Sequence, residues 1–223
     1  MLIAIDTSTD WTGIALFDGT QMLAEQVWKG KHYQSVELVP AIQRMFRNAN
    51  LSPNQLTGVG VATGPGSFTG LRIGMSVAKG IALAQKLPIV GIPSLDILST
   101  AQPGLRRPMI AMIELGRGRF AWMRYTYKNR AWQAENGLQL DDAKAIAQSI
   151  KSPIYVVGDL NTETRQIQGR KWKTTQLAPA SLCVRRPAVL AALAWQKINA
   201  GEADDPAVLS PIYVHTLSNV PNV

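Results

Sequence analysis

Residues Gly64-Pro65-Gly66-Ser67-Phe68-Thr69-Gly70-Leu71-Arg72-Ile73-Gly74 constrain this chain more than any other stretch, because four glycines and a proline interrupt an apolar sequence. A strand-like run, Gly58-Val59-Gly60-Val61-Ala62, precedes them, and a helix-like run from Met75 to Lys86 follows. Glycine permits positive φ and close backbone approach, and a helix N-terminus leaves N–H groups unpaired. Three readings of the loop are open. It can cradle phosphate, although it lacks the Gly-Lys-Ser/Thr ending of a Walker A loop and misses the dinucleotide spacing by one residue. It can be a nucleophile elbow at Ser67, although Thr69 stands where that motif needs glycine. It can also be a purely structural strand-to-helix turn.

The surrounding pattern is α/β. Leu2 to Ile5, Thr12 to Phe17 and Gln21 to Val27 read as strands, the last two joined by a turn at Asp18-Gly19. A helix from about Gln34 to Asn48 follows, with Pro40 expected to bend it or shorten its first turn. Ser52-Pro53-Asn54-Gln55 has the form of a capping box. Then come the strand at 57–62, the loop, its helix, and a strand at 89–92 stopped by Pro93. The segment Ala101 to Pro108, with two prolines, a glycine and two arginines, is the best linker. Beyond it, 109–114, 119–127 and 154–158 read as strands, and 141–150 and 188–200 as helices.

The loop followed by Ser76-Val77-Ala78-Lys79-Gly80 resembles the signature of the TsaB (YeaZ) family. Ile3-Ala4-Ile5-Asp6-Thr7-Ser8-Thr9, Lys31-His32 to Ser35, and Pro88 to Leu95 resemble it too. The likeness is strong over residues 1–98 and weaker beyond. Glu114 to Ala121 keeps only Gly118 of the family's Asp-Ala-Arg-x-Gly-Glu-Val-Tyr strand, and Pro211-Ile212-Tyr213-Val214-His215 lacks the family's arginine. The resemblance implies an actin-like (ribonuclease H-like, ASKHA) fold of two lobes, with mixed sheets flanked by helices. We place an N-terminal lobe over 1–103, a smaller basic lobe over 104–203, and a tail over 204–223 that returns to the first lobe.

By the same resemblance the chain is a non-catalytic, dimerisation subunit. Its partner would be a homologous TsaD-like catalytic subunit, which forms N6-threonylcarbamoyladenosine at position 37 of tRNAs reading codons that begin with A. A TsaE-like ATPase and tRNA complete the implied complex. The implied partner surface is Ser67, Phe68, Thr69, Arg72, Met75, Ala78, Lys79 and Ala82. Gly74, Ala78 and Ala82 fall on one face of the helix at four-residue spacing, where small residues admit a second helix. Ala78→Arg is therefore expected to weaken pairing and leave the chain folded. Self-association through the same helix would compete with the heterodimer.

The rival reading is a free-standing actin-like ATPase or kinase, with Asp6, Thr7 and Ser8 as weak cofactor candidates for Mg²⁺ and phosphate. The constellation is incomplete, so no catalytic residue and no cofactor are assigned. The two histidines, His32 and His215, form no His-x-x-x-His pair, and Cys183 is the single cysteine, so no metal site is expected. His32 reads as a capping or interface residue. With no basic leader, and with Arg72, Lys79 and Lys86 inside the most apolar stretch, the chain is expected in the cytoplasm and not in a membrane.

The formal charge is +8. Thirteen lysines and arginines lie between Arg106 and Lys173, interleaved with Trp122, Tyr125, Tyr127, Trp132 and Trp172. Such a mixture can hold phosphates and stack on bases, or it can be a solvated basic surface over core aromatics.

Overall fold

The computed structural model describes residues 1–30, 33–171 and 173–214. The chain divides into two compact units, Met1–Ile97 with the chain from Arg186 onward, and Leu98–Arg185.

In the first unit, β1 (Leu2–Asp6), β2 (Trp11–Phe17) and β3 (Met22–Lys29) form an antiparallel meander. Helix α1 (Gln34–Asn48) leads to β4 (Gly58–Gly64), and α2 (Phe68–Gln85) to β5 (Ile89–Pro93). The sheet order is β3-β2-β1-β4-β5, with β4 parallel to both β1 and β5. All of β1 and β4 is buried, because both faces of the sheet are covered. Ile3, Ile5, Ile14 and Val61 pack with Leu38, Phe46, Met75 and Ala78 of α1 and α2. Leu2, Ala4 and Ala15 on the opposite face pack with Leu190, Ala191 and Ala194. Strand alternation thus sorts one set of apolar residues between two helical layers.

Those last three residues belong to α6 (Pro187–Asn199), which the sequence reading assigned to the second lobe. The helix completes the first unit instead, because β1, β2 and β4 present a second apolar face that needs cover; burial of Leu190 alone contributes roughly 2 kcal/mol. An ion pair from Arg186 to Glu25 on β3 anchors its start, reinforced by the Ala188 N–H donating to the same carboxylate at 3.0 Å. The first boundary likewise falls at 97/98, within α3 (Ser94–Thr100), rather than at 103/104.

The second unit contains β6 (Met109–Gly116), β7 (Arg119–Lys128), β8 (Ala131–Ala134), β9 (Gln139–Asp142), α4 (Ala143–Ser149), β10 (Ile154–Gly158), α5 (Thr162–Gly169) and β11 (Thr175–Leu177). Its sheet runs β11-β10-β6-β7-β8, with β9 also paired to β7. Ile110, Met112, Phe120 and Val156 pack against Ile146 and Ile150. Pro40 stands inside α1, which continues through it. Sequence periodicity missed α3, α5, β8, β9 and β11, which are short or, like Thr162–Gly169, carry almost no apolar residues.

Candidate functional site

The glycine loop is built against the turn that follows β1. Ser67 N–H donates to the Ser8 carbonyl at 2.7 Å, and the Thr7 hydroxyl donates to the Gly70 carbonyl at 2.7 Å. Helix α2 begins at Phe68, seven residues before the sequence expectation, with Ser67 as N-cap accepting from Gly70 N–H at 3.3 Å. Gly70 and Gly74 are therefore helical residues. A Cβ at Gly66 would lie 1.9 Å from the Ser8 carbonyl oxygen, one at Gly70 2.2 Å from that of Thr7, and one at Gly74 2.2 Å from Thr7 Oγ1. Of the loop's four glycines only Gly64, at φ +100°, needs the left-handed region. The other three admit close approach of a helix to a turn.

The turn itself is closed. Asp6, Thr7, Ser8 and Thr9 are all buried. Asp6 Oδ1 accepts from Ser8 N–H at 2.8 Å and from the Ser8 hydroxyl at 2.6 Å, while Gln34 Nε2 donates to the Thr9 carbonyl at 2.6 Å. Of the weak cofactor candidates, Asp6 and Ser8 thus bond to each other within the turn and Thr7 ties it to α2, while the Thr9 carbonyl ties it to α1 and the Ser67 N–H is taken by the Ser8 carbonyl. Ser67 serves as the N-cap of α2. In the second unit the corresponding position is Asp159, which accepts from Glu114 N–H at 3.0 Å and pairs at 3.7 Å with the buried guanidinium of Arg185.

No group of three or more His, Cys, Asp or Glu among the described residues could hold a metal. His32, His215 and Trp172 lie outside the described residues. Among the described residues, no helix is long and apolar enough to cross a membrane.

Helix α2 has two sharply different faces. Met75, Ala78 and Ala82, expected at a partner surface, are buried in the first unit's own core with Gly74 beside them. The stripe of small residues does admit a close neighbour, but the neighbours are this unit's sheet and turn. Ala78, with no exposed surface, cannot take arginine without burying a charge. Of the other expected residues, Ser67, Phe68, Thr69 and Arg72 are exposed and Lys79 is half-buried.

The outward face adds Leu83, which the spacing already puts beside the small-residue stripe, and two valines of α1 that its periodicity would have put in the core. Leu83 is 66% exposed, and Val36 and Val39 on the neighbouring α1 are 66% and 44% exposed. At the helix start, the Arg72 guanidinium lies 3.7 Å from the Phe68 ring centroid, and its Nε donates to the Tyr213 hydroxyl at 2.9 Å. The Phe68 and Tyr213 rings stand 5.0 Å apart. Tyr213 arrives on the closing segment, where Asp204 bridges to Ile89 and Ile212 N–H donates to the Thr63 carbonyl at 2.7 Å.

Residues 29–183 match the family model described as "TsaD: tRNA N6-adenosine threonylcarbamoyltransferase". The TsaB biosynthesis protein of Bacillus subtilis is 29% identical over 217 residues, spanning 96% of this chain and 93% of its own. The chain belongs to the TsaB (YeaZ) family. The Escherichia coli TsaB protein is 31% identical over 140 residues, covering 60% of this chain and 59% of its own. YeaZ from Pseudomonas aeruginosa shares the fold, with a TM-score of 0.74 at 18% identity over 95% of this chain and 99% of that one. Both units are accordingly lobes of an actin-like fold, as the TsaB signature implies.

Proposed function

We propose that this TsaB-family chain is the non-catalytic partner of a TsaD-like subunit in forming N6-threonylcarbamoyladenosine at position 37 of tRNAs that read codons beginning with A. The observation that carries this reading is the nearly end-to-end match to the TsaB biosynthesis protein of B. subtilis. The closed Asp6 turn supports it, since the side chains that would serve a nucleotide are engaged within the lobe. The corrected partner surface is the outward face of α2 with the neighbouring part of α1, centred on Phe68, Arg72, Leu83, Val36 and Val39. Exposed apolar side chains grouped on two adjacent helices are what a desolvated interface core requires.

On this reading the chain acts in the cytoplasm, with a TsaE-like ATPase and tRNA joining the assembly. It works by binding: preferential affinity for the catalytic subunit's substrate-accepting conformation shifts that subunit's population, and the shift is bounded by the difference in affinity between conformations. A homodimer through the same helices would draw on the same surface.

Depletion of the chain in its host, followed by nucleoside mass spectrometry of total tRNA, tests the reading. The modified nucleoside should fall and return with the wild-type chain. Leu83→Arg should restore it poorly and fail to co-elute with the TsaD-like subunit. An unchanged level under verified depletion, with no substitute protein active, would overturn the assignment.

A further inference from the structure

The second unit holds all of the net charge. Between Leu98 and Arg185 there are 14 Lys and Arg against 6 Asp and Glu, a net +8, whereas the rest of the chain has 9 of each.

The topology concentrates this charge further. Strands β6, β10 and β11 are mutually parallel and β7 is antiparallel to β6. The segments entering β11, β10 and β6, and the turn from β7 to β8, therefore share one end of the sheet, in that spatial order. They carry Arg170, Lys151, Arg106 with Arg107, and Lys128 with Arg130, all six exposed. Residues 101–108, 128–131, 150–153 and 170–174 contain no Asp or Glu. The acids lie elsewhere: Glu114 and Asp159 at the opposite end of β6 and β10, Asp141 and Asp142 beside the start of β7, Glu163 in the first turn of α5, and Glu135 paired with Arg124.

Two local features hold the cations in place. Lys128 pairs with Ala131, so Asn129 and Arg130 form a two-residue hairpin turn, with φ of 53° and 62°. Gly104 lies against Tyr127, where a Cβ would meet the ring at 2.4 Å, and this ties the arginine pair to the hairpin. The Tyr127 ring is itself braced edge-on by Trp132 at 5.3 Å and is 37% exposed.

We propose that this end of the second sheet is an RNA-backbone surface, which receives tRNA phosphates along its row of cations and offers Tyr127 as a stacking face. Strands about 4.8 Å apart make the row roughly 15–20 Å long, enough to meet several successive phosphates. Surface cations with no intervening acid gain most from a polymer whose bound counterions they displace. The choice of tRNA as the RNA rests on the functional reading above; the charge geometry does not.

The test is tRNA binding by the purified full chain, followed by fluorescence anisotropy from about 50 to 300 mM salt. One variant combines Arg106→Gln, Arg107→Gln, Lys128→Gln and Arg130→Gln. A control removes the same charge elsewhere through Arg117→Gln, Arg119→Gln, Lys144→Gln and Arg47→Gln, and circular dichroism confirms that both are folded. The first should lower affinity at least tenfold near 100 mM salt and reduce the slope of log K against log salt by about three, at 0.7–0.9 per phosphate contact. The control should keep its slope within about one of wild type. Equal losses in both variants, no salt-dependent binding by the wild-type chain, or competition by polyglutamate as effective as that by tRNA would overturn the proposal. If depletion lowers the modified nucleoside but the chain binds no tRNA, only this surface fails. If the chain binds tRNA here while the nucleoside is unchanged, only the functional reading fails.

Discussion

The two units share a strand order and differ in almost everything attached to it. Each sheet path runs third, second and first strand of its unit and then two later, parallel strands, β4-β5 in one and β10-β11 in the other, where β9 adds to β7 off this path; in each, the chain leaving the first of those later strands donates back to the first strand or the turn just after it. Ser67 N–H reaches the Ser8 carbonyl at 2.7 Å in one, and Asp159 N–H reaches the Met112 carbonyl at 3.1 Å in the other. The first unit is neutral in sequence and exposes apolar side chains on neighbouring helices; the second carries a net +8, with six of its cations at one sheet end. A similar topology therefore carries exposed apolar side chains on helices in one unit and a row of cations at a sheet end in the other, and the difference lies in the side chains.

The shared loop contact can be broken on each side. Gly158, at φ +140°, would place a Cβ 1.8 Å from the Met112 carbonyl oxygen, matching the 1.9 Å clash of Gly66 with Ser8. Gly66→Ala and Gly158→Ala should each cost roughly 3 kcal/mol or more, because the obstructing atoms are backbone. Hydrogen exchange should show each substitution loosening its own unit first. A variant within about 0.5 kcal/mol of wild type in denaturant would show that its loop is not held by close approach.

A second pair separates the faces of α2. Ala78→Arg should destabilise the first unit by about 3 kcal/mol or more, through a buried, unpaired charge in a filled core. Leu83→Arg on the outward face should stay within about 0.5 kcal/mol in the same unfolding assay. Similar losses for both would erase the distinction between the core and outward faces.

The smallest effect concerns the returning helix. Burial pushes the Glu25 carboxyl up, but the hydrogen bonds from Arg186 and Ala188 N–H, with the Arg186 charge, outweigh it and hold the pKa below the ordinary 4.5. Its folded pKa is depressed, so the stabilisation is present above the unfolded value and is lost as pH falls through the folded one. Glu25→Gln should lower the Tm at pH 7 by an amount equivalent to under about 1 kcal/mol, and the difference should close as the pH falls below 4.5 and through the depressed folded pKa. A constant difference across that range would mean that packing, not the ion pair, holds α6 to β3.

Much of this architecture was legible in the residues. The Asp18-Gly19 turn and the capping box at Ser52, where Ser52 N–H donates to Gln55 Oε1 at 2.8 Å, are local signals that the tertiary fold leaves intact, whereas the stripe expected for α1 holds at Ile42, Met45 and Phe46 but not at the exposed Val36 and Val39. The glycine loop announced a strand-to-helix junction, but glycine in sequence does not say whether it serves φ or proximity. Gly70 and Gly74 could be recognised as helical only once Thr7 stood beside them. The inward and outward faces of α2 were ambiguous for a similar reason: alanine stripes suit an intramolecular neighbour and an intermolecular one equally.

The sequence by itself determined the family, the α/β order of elements, and a surplus of positive charge late in the chain, because motifs, periodicity and composition are properties of neighbouring residues. Only the tertiary structure decided that α6 completes the first unit, that Ala78 is core while Leu83 is surface, and that cations from four separate segments meet at one end of a sheet. These outcomes depend on which strands pair and in which direction, and strand pairing is settled by burial between residues far apart in the chain.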